Sequence, residues 1–283
     1  METVKFLVFV LLLFSLNCQL TMGEGEVSVS TTFCTTTYGD GHKPLGTEDK
    51  AAINELLGCS KLISSEKCVP NPTNTIICDC NLEDKICRVT EIRFSYRSFE
   101  GELPETIGEL KNLSKLVLYG NKFLGKIPES YANLTNLKHL DLKDNSLEGP
   151  IPPFLGDMKL EFLDLSDNLF NGSIPVQLGS LVNLTSLDLS NNLLSAKIPS
   201  AVGNFKSLVT LDLSDNELTG PLPDHLGNLT CLENLYLQNN KFVDALPLRI
   251  MDMKKLIKFD VRGNDLTGRI PDSIGQLLNL QYL

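Results

Sequence analysis

A phrase of about 24 residues repeats along the chain and limits its possible folds more than any other feature. It is clearest in two stretches, Asn183–Phe205 and Ser207–Leu229. One asparagine marks each copy, at Asn121, Asn145, Asn168, Asn192, Asn216, Asn240 and Asn264, with one step of 23 residues after Asn145. Prolines keep the same period, at Pro104, Pro128, Pro152, Pro175, Pro199, Pro223, Pro247 and Pro271. Two series in phase predict a solenoid whose turns pack on their neighbours.

Each copy reads LxxLxLxxNxLxGxIPxxLGxL, and each part of this pattern has a structural reason. The central LxL predicts a short strand whose leucines point inward while the residue between them points outward. The asparagine carries a donor and an acceptor for buried backbone groups, so we expect a ladder of asparagines along the solenoid. The glycine permits a tight bend before the Ile-Pro step, where the chain runs extended.

The chain begins with a short apolar run, Phe6–Leu16, which is too short to span a bilayer and matches a secretory signal peptide. We therefore predict an extracellular protein, located in the cell wall or at the cell surface. Its predicted parts are a signal peptide over 1–23, a flexible leader over 24–46, a cysteine-rich N-terminal cap over 47–88 and repeats over 89–283. The repeats make eight turns and begin a ninth.

Six cysteines crowd before the repeats, at Cys34, Cys59, Cys68, Cys78, Cys80 and Cys87. In a secreted chain this crowding indicates disulfides, and the sequence leaves their pairing open. A zinc site would need ligand pairs such as CxxC, whereas the close pair here is C-D-C. Cys231 is alone among the repeats and is predicted to be an unpaired, partly buried thiol. A short helix is predicted from an N-cap at Thr47 to a stop at Gly58.

These motifs resemble the plant-type leucine-rich repeat over Val89–Leu283, where the Ile-Pro step marks a second small sheet. The resemblance implies an α/β solenoid, a right-handed superhelix with a parallel β-sheet on its concave face and a disulfide-bonded N-terminal cap. The chain departs from the family pattern at Ala196 and Asp244, which replace the glycine, and at Arg97, which replaces the first asparagine. One residue is also missing after Met158.

Charge and sequons bear on possible partners. The net charge is −10 and the pI is near 4.9, which argues against nucleic acid and anionic membranes and favours a basic partner. No stretch after the signal could cross a membrane, so only a longer form could be membrane-anchored. Five sequons are candidates for N-glycans on the flanks of the solenoid, at Asn112, Asn133, Asn171, Asn183 and Asn228.

The side chains that point outward from the strands are the candidate binding surface. The middle turns offer an acidic, hydroxyl-rich strip in which we expect Ser166 and Ser214 to be exposed. Because LDLS is the default phrase of the family, each of these aspartates can equally be a solvated part of the repeat. Candidate ligand-binding residues are Arg93, Tyr96, Tyr119, His139, Asp141, Lys143, Phe162, Asp164, Asp188, Asp212, Tyr236, Gln238 and Arg262.

Catalysis is not expected from this chain. Neighbouring aspartates could match the carboxyl spacing of a retaining glycosidase, but an open and uniform ladder offers no cleft to separate their pKa values. The sequence contains no Ser-His-Asp or Cys-His arrangement and no glycine-rich phosphate loop, and we expect no cofactor and no metal. The three histidines, His42, His139 and His225, fall in different columns of the repeat.

The resemblance implies a recognition module that binds a protein or peptide on its concave face. Receptor-like kinases and receptor-like proteins of this family imply ligand perception in defence or development. Two alternatives remain: a secreted inhibitor of pectin-degrading enzymes, similar to polygalacturonase-inhibiting proteins, and a structural cell-wall protein. Because the sequence stops within a repeat at Leu283, we expect it to be a fragment of a longer protein.

Overall fold

The computed structural model of the protein describes residues 46–56, 74–79 and 86–283. The predicted signal peptide, nearly all of the leader, and Cys34, Cys59, Cys68 and Cys80 lie outside these residues. The predicted division of the N-terminal part therefore stays a prediction. Among the helices that the structure does describe, none has the length and apolar character needed to cross a bilayer.

Among the described residues before the repeats there is one α-helix, α1 (Thr47–Leu56). The carbonyl of Gly46 accepts the first helical hydrogen bond, from the Lys50 N–H at 3.0 Å, so Gly46 caps the helix. The prediction of Thr47 as the N-cap was therefore wrong by one residue. Asp49 fixes the helix to the repeats, because its buried carboxylate accepts the Val89 N–H at 2.5 Å. Burial, which is the main cause, raises the pKa of Asp49.

The main sheet has nine strands, and its order follows the sequence. Strand β1 (Asn74–Asp79) runs antiparallel to β2 (Arg88–Phe94), and all later neighbours are parallel. Each further turn adds one strand of three residues. These strands are β4 (Lys115–Val117), β6 (His139–Asp141), β8 (Phe162–Asp164), β10 (Ser186–Asp188), β12 (Thr210–Asp212), β14 (Asn234–Tyr236) and β16 (Lys258–Asp260). The predicted leucine-rich repeat solenoid is confirmed.

The second sheet is present as two pieces. The five-stranded piece holds β3 (Glu100–Glu102), β5 (Lys122–Gly125), β7 (Ser146–Pro150), β9 (Leu169–Gly172) and β11 (Leu193–Leu194). The two-stranded piece pairs β13 (Thr219–Pro221) with β15 (Lys241–Val243). Gly220 bends the chain with a φ of 75°, and Ala196 and Asp244 adopt 68° and 67° in the same position. The five-stranded piece ends in the turn where Ala196 replaces the glycine.

On the side away from the sheets, each turn closes with a five-residue 3-10 helix that follows a proline. These helices are η1 (Glu105–Glu109), η2 (Glu129–Asn133), η3 (Pro153–Asp157), η4 (Val176–Ser180), η5 (Ser200–Asn204), η6 (Asp224–Asn228), η7 (Leu248–Asp252) and η8 (Asp272–Gln276). The glycine of the LGxL phrase permits the turns to approach closely. A Cβ added at Gly156 would lie 2.1 Å from the Gln177 carbonyl oxygen.

The asparagines form the predicted ladder, but each bonds to backbone groups rather than to another asparagine. Asn216 shows the pattern: its Nδ2 donates to the carbonyls of Leu189 at 2.9 Å, Leu213 at 3.3 Å and Ser214 at 3.0 Å. Its Oδ1 accepts the Leu194 N–H at 2.9 Å. Two of these partners belong to the preceding turn, so the side chain joins consecutive turns. The leucines flanking each outward residue of the main sheet are buried, as predicted.

Candidate functional site

The outward side chains of the main sheet form a surface that we call the sheet face. Because alternate residues of a strand share one side, three columns run across it. The first column is Glu91, Lys115, His139, Phe162, Ser186, Thr210, Asn234 and Lys258. The middle column is Arg93, Val117, Asp141, Asp164, Asp188, Asp212, Tyr236 and Asp260. The third column is Ser95, Tyr119, Lys143, Ser166, Ser190, Ser214, Gln238 and Arg262.

Four half-buried aspartates, Asp141, Asp164, Asp188 and Asp212, lie in register on consecutive strands and form what we call the carboxylate ladder. Three of them bond to a serine two residues later. Ser166 donates to Asp164 Oδ1 from its N–H at 2.9 Å and from its Oγ at 2.6 Å. Asp188 and Asp212 repeat this arrangement with Ser190 and Ser214. Among the described residues, no donor contacts the Oδ2 atoms of these three aspartates.

These hydrogen bonds explain a wrong prediction about exposure. Ser166 and Ser214 were expected to be exposed, but they retain only 0% and 3% of their accessible surface. Each hydroxyl turns toward the carboxylate of its own turn instead of toward solvent. The serines therefore hold the aspartates in place and offer little surface of their own to a partner.

Burial and mutual repulsion make the carboxylate ladder electrostatically unfavourable. Burial, followed by the charge of Asp164, raises the pKa of Asp141 to about 6. Burial also raises the pKa of Asp212 to about 6, against the hydrogen bonds from Ser214. The charges of Lys143 and Lys115 compensate in part by lowering the pKa of Asp141, and the Nζ of Lys143 lies 3.2 Å from Asp167 Oδ2. A positively charged partner would relieve this repulsion.

Two aromatic pairs lie at the N-terminal end of the sheet face. His139 and Phe162 stack in the first column, with ring centroids 4.1 Å apart and planes 7° apart. Tyr96 meets Tyr119 edge to face, with centroids 5.1 Å apart. Burial, with the charges of Lys115 and Arg93, lowers the pKa of His139 to about 4, so the stacked imidazole is neutral at neutral pH. These pairs give the surface rigid apolar area beside the carboxylates.

Other candidate residues are already engaged within the protein. Arg93 pairs with Glu91 on its own strand. Arg262 pairs with Asp260, its Nε lying 2.9 Å from Oδ1 and its Nη2 lying 2.6 Å from Oδ2. Neither arginine is therefore a free cation for a partner. Tyr236 continues the middle column directly after Asp212.

The structure adds residues of the sheet face that the sequence reasoning did not select. Val117 lies in the middle column but is only 6% exposed, so it offers a partner little surface. Lys115 and Ser186 complete the first column beside His139 and Phe162. The alternation of strand residues could have identified Lys115 and Ser186, because the residue before each first leucine shares the outward side. Gln238, which was among the predicted binding residues, has a buried Oε1 atom with no hydrogen-bond partner among the described residues.

The five sequon asparagines lie outside the strands of the main sheet. Asn133, Asn171 and Asn183 are exposed, whereas Asn112 and Asn228 are half-buried. Asn171 lies within β9 of the second sheet, not in a connecting segment. Cys78 and Cys87 are disulfide-bonded, while the disulfide framework as a whole stays a prediction. Cys231 is free and half-buried, as predicted. Within the described residues no group of three or more His, Cys, Asp and Glu side chains could hold a metal ion.

Comparison with family models finds leucine-rich repeats along most of the solenoid. One model, described as Leucine rich repeat, matches residues 182–242. A second, described as Leucine Rich Repeat, matches residues 112–134, 136–158, 159–181 and 255–277. The comparison with curated proteins finds no match.

Several solved structures are similar to this chain. One is the ectodomain of the receptor kinase GASSHO1/SCHENGEN3 from Arabidopsis thaliana in complex with CASPARIAN STRIP INTEGRITY FACTOR 2, with 35% identity and a TM-score of 0.67 over 68% of this chain and 23% of that one. The PEPR1–AtPEP1 structure gives 33% identity and a TM-score of 0.75 over 83% of this chain and 34% of that one. This chain thus spans 23% and 34% of the length of these two receptor chains. A plant ice-binding protein gives 27% identity and a TM-score of 0.68 over 84% of this chain and 78% of that one.

Proposed function

The chain belongs to the leucine-rich repeat family in its plant-type form, and from this premise we propose that it is a recognition module binding a peptide or protein segment on the sheet face. The observation that carries the proposal is the carboxylate ladder, four half-buried and in-register carboxylates flanked by aromatic pairs. Half-buried charges that repel one another cost stability, which a binding partner would recover.

Several finer features belong to the same proposal. The predicted signal peptide and sequons support an extracellular location, and the likeness to receptor ectodomains supports a role in perceiving a ligand in defence or development. The net charge of −10 supports a basic partner. Catalysis is not part of the proposal, because the ladder is an open surface of equivalent carboxylates rather than a cleft with distinct acid and base groups.

A second candidate is a secreted inhibitor that blocks microbial pectin-degrading enzymes. The acidic sheet face supports it, because the same carboxylates could contact a basic enzyme surface. The two candidates separate in one assay, since an inhibitor lowers polygalacturonase activity in a stoichiometric manner and a peptide receptor leaves it unchanged. A structural cell-wall role is a third candidate and predicts no dependence on the sheet face.

The test of the proposed function places one large charge reversal in the ladder. The full chain is panned against a random peptide library displayed on phage, and selected peptides are measured against Asp188→Arg and the matched control Asp224→Arg. Asp224 is an exposed acid on η6, away from the sheets. We expect Asp188→Arg to lose binding and Asp224→Arg to retain it. Equal binding by both variants would remove the sheet face as the site.

A further inference from the structure

Phe162 is the aromatic residue closest in register to the centre of the carboxylate ladder, and its surroundings form a slot. His139 covers one face of the ring, stacked at 4.1 Å. On the other side the next strand brings Ser186, a small side chain in register with Phe162. Neighbouring strands lie about 4.8 Å apart, which leaves room for a flat group above Ser186 and beside the ring. We call this space the Phe162 slot.

Carboxylates border the same slot in the middle column. Asp164 and Asp188 follow Phe162 and Ser186 by two residues and therefore share their side of the sheet. Each uses Oδ1 to accept bonds from a serine, and among the described residues no donor reaches Oδ2. The nearby Lys143 is already paired with Asp167. The slot thus joins one aromatic face to two carboxylate oxygens that lack a bonded cation.

We infer that the Phe162 slot binds the guanidinium group of an arginine side chain, an inference that rests on the peptide-binding function proposed above. A guanidinium is flat, so it can stack on the ring, and its fork of N–H donors can reach both carboxylates. Its weak hydration suits a half-buried position. The occupant is accordingly an arginine-containing segment of a partner, lying across β8 and β10.

Other cations fit the slot less well. A lysine ammonium is a compact and strongly hydrated charge that does not fill a flat space against a ring. A calcium ion needs six or more oxygen ligands around one centre, whereas these carboxylates stand in a row. The structure agrees, because the described residues contain no acidic cluster that could hold a metal. The slot therefore predicts discrimination between arginine and lysine, which a plain acidic surface would not show.

The slot can be tested with a minimal probe by NMR. The full chain, labelled at phenylalanine and serine, is titrated with N-acetylarginine amide, N-acetyllysine amide and N-acetylcitrulline amide. Citrulline keeps the shape of arginine without its charge. We expect saturable shifts at Phe162 and Ser186 with arginine, in the millimolar range, and binding weaker by about tenfold for the other two probes.

Three variants localise the binding. Phe162→Ser removes the ring. Serine is chosen because it occupies the same column in the next turn, at Ser186. A double variant, Asp164→Asn with Asp188→Asn, removes the two charges. The Phe162→Ser variant and this double variant should each weaken arginine binding by about fivefold or more. Asp260→Asn is the matched control in the same column, because its carboxylate already pairs with Arg262. It should leave the affinity unchanged, and a thermal melt of each variant reports its fold.

The outcomes separate this inference from the proposed function. Citrulline binding as tightly as arginine, an equal loss in Asp260→Asn, or no saturable shift at Phe162 would each overturn the slot. A selected library peptide that loses binding in Asp188→Arg but contains no arginine would overturn the slot and support the proposed function. A library that yields no peptide dependent on the sheet face would overturn the proposed function itself.

Discussion

Replacing Asp212 by asparagine should make the protein more stable at neutral pH. The change keeps the shape of the side chain, and the asparagine Oδ1 can still accept the two hydrogen bonds from Ser214, at 2.9 Å from N–H and 2.5 Å from Oγ. It removes a half-buried charge that Asp188 and Asp215 repel. Most single substitutions are neutral or destabilising, so a gain in stability would be diagnostic.

The magnitude follows from the raised pKa of Asp212. Folding raises the pKa from the ordinary 3.8 to about 6, mainly through burial. Because the folded state holds the proton more tightly, the stability that the protonated Asp212 contributes is fully present below about pH 4 and is lost as pH rises through about 6. About two pKa units correspond to roughly 3 kcal/mol, and partial exposure to solvent reduces this to about 1–2 kcal/mol. The asparagine side chain has no proton to lose and gains no charge, so the variant escapes this decline.

Urea denaturation followed by circular dichroism, from about pH 3.5 to pH 8, measures the difference. The variant and the wild type should agree at the acidic end and diverge as pH rises through about 6. Asp260→Asn should have the opposite effect and lower stability at neutral pH. The hydrogen bond from Arg262 lowers the pKa of Asp260, and the variant loses this interaction. An Asp212→Asn variant that is less stable than wild type at pH 7.5 would refute the reasoning.

Three further substitutions test the repeat itself. Asn216→Ala should lower the free energy of unfolding by about 3 kcal/mol or more, since it leaves buried carbonyls unpaired. The control Asn204→Ala, at an exposed residue of η5, should lower it by less than about 0.5 kcal/mol, and equal losses in urea denaturation would contradict the ladder. Ala196→Gly should raise the free energy of unfolding by about 0.5–1 kcal/mol because the φ of this residue is 68°. An unchanged melting temperature would argue against backbone strain at this position. Tyr131→Phe should raise the free energy of unfolding by about 1 kcal/mol, because the buried hydroxyl has no hydrogen-bond partner among the described residues. A lower stability of the variant in calorimetry would show that the hydroxyl has a partner.

The repeat made most of the fold predictable. Strand positions, buried leucines, the asparagine ladder and the bend at positions such as Gly220 all follow from one periodic pattern. The conformation of the bend where glycine is replaced was harder to predict from the sequence. Only the backbone angles show that Ala196 and Asp244 keep the same turn. The start of α1 was placed one residue late, since either Gly46 or Thr47 can cap a helix and only the Lys50 hydrogen bond decides between them.

The candidate site was less predictable, because its properties arise from pairs of residues rather than single positions. His139 and Phe162 each stood out in the sequence, but their stacking depends on the register of β6 with β8. The missing residue after Met158 leaves that register intact, since the shortened turn still brings Phe162 into the first column. The burial of Ser166 likewise follows from its hydrogen bond to Asp164, which the identity of either residue alone does not predict.

The asparagine ladder has a consequence for how such a surface can grow. Each asparagine completes the hydrogen bonds of the turn before it, as Asn216 does for Leu189 and Leu194. The asparagine of each turn therefore pairs backbone groups of the preceding turn, and the next turn supplies the asparagine that pairs its own. Duplication or loss of one whole repeat leaves every internal junction intact. The length of the sheet face can change in steps of one strand during evolution or by design, while the chemistry of the remaining rows is preserved.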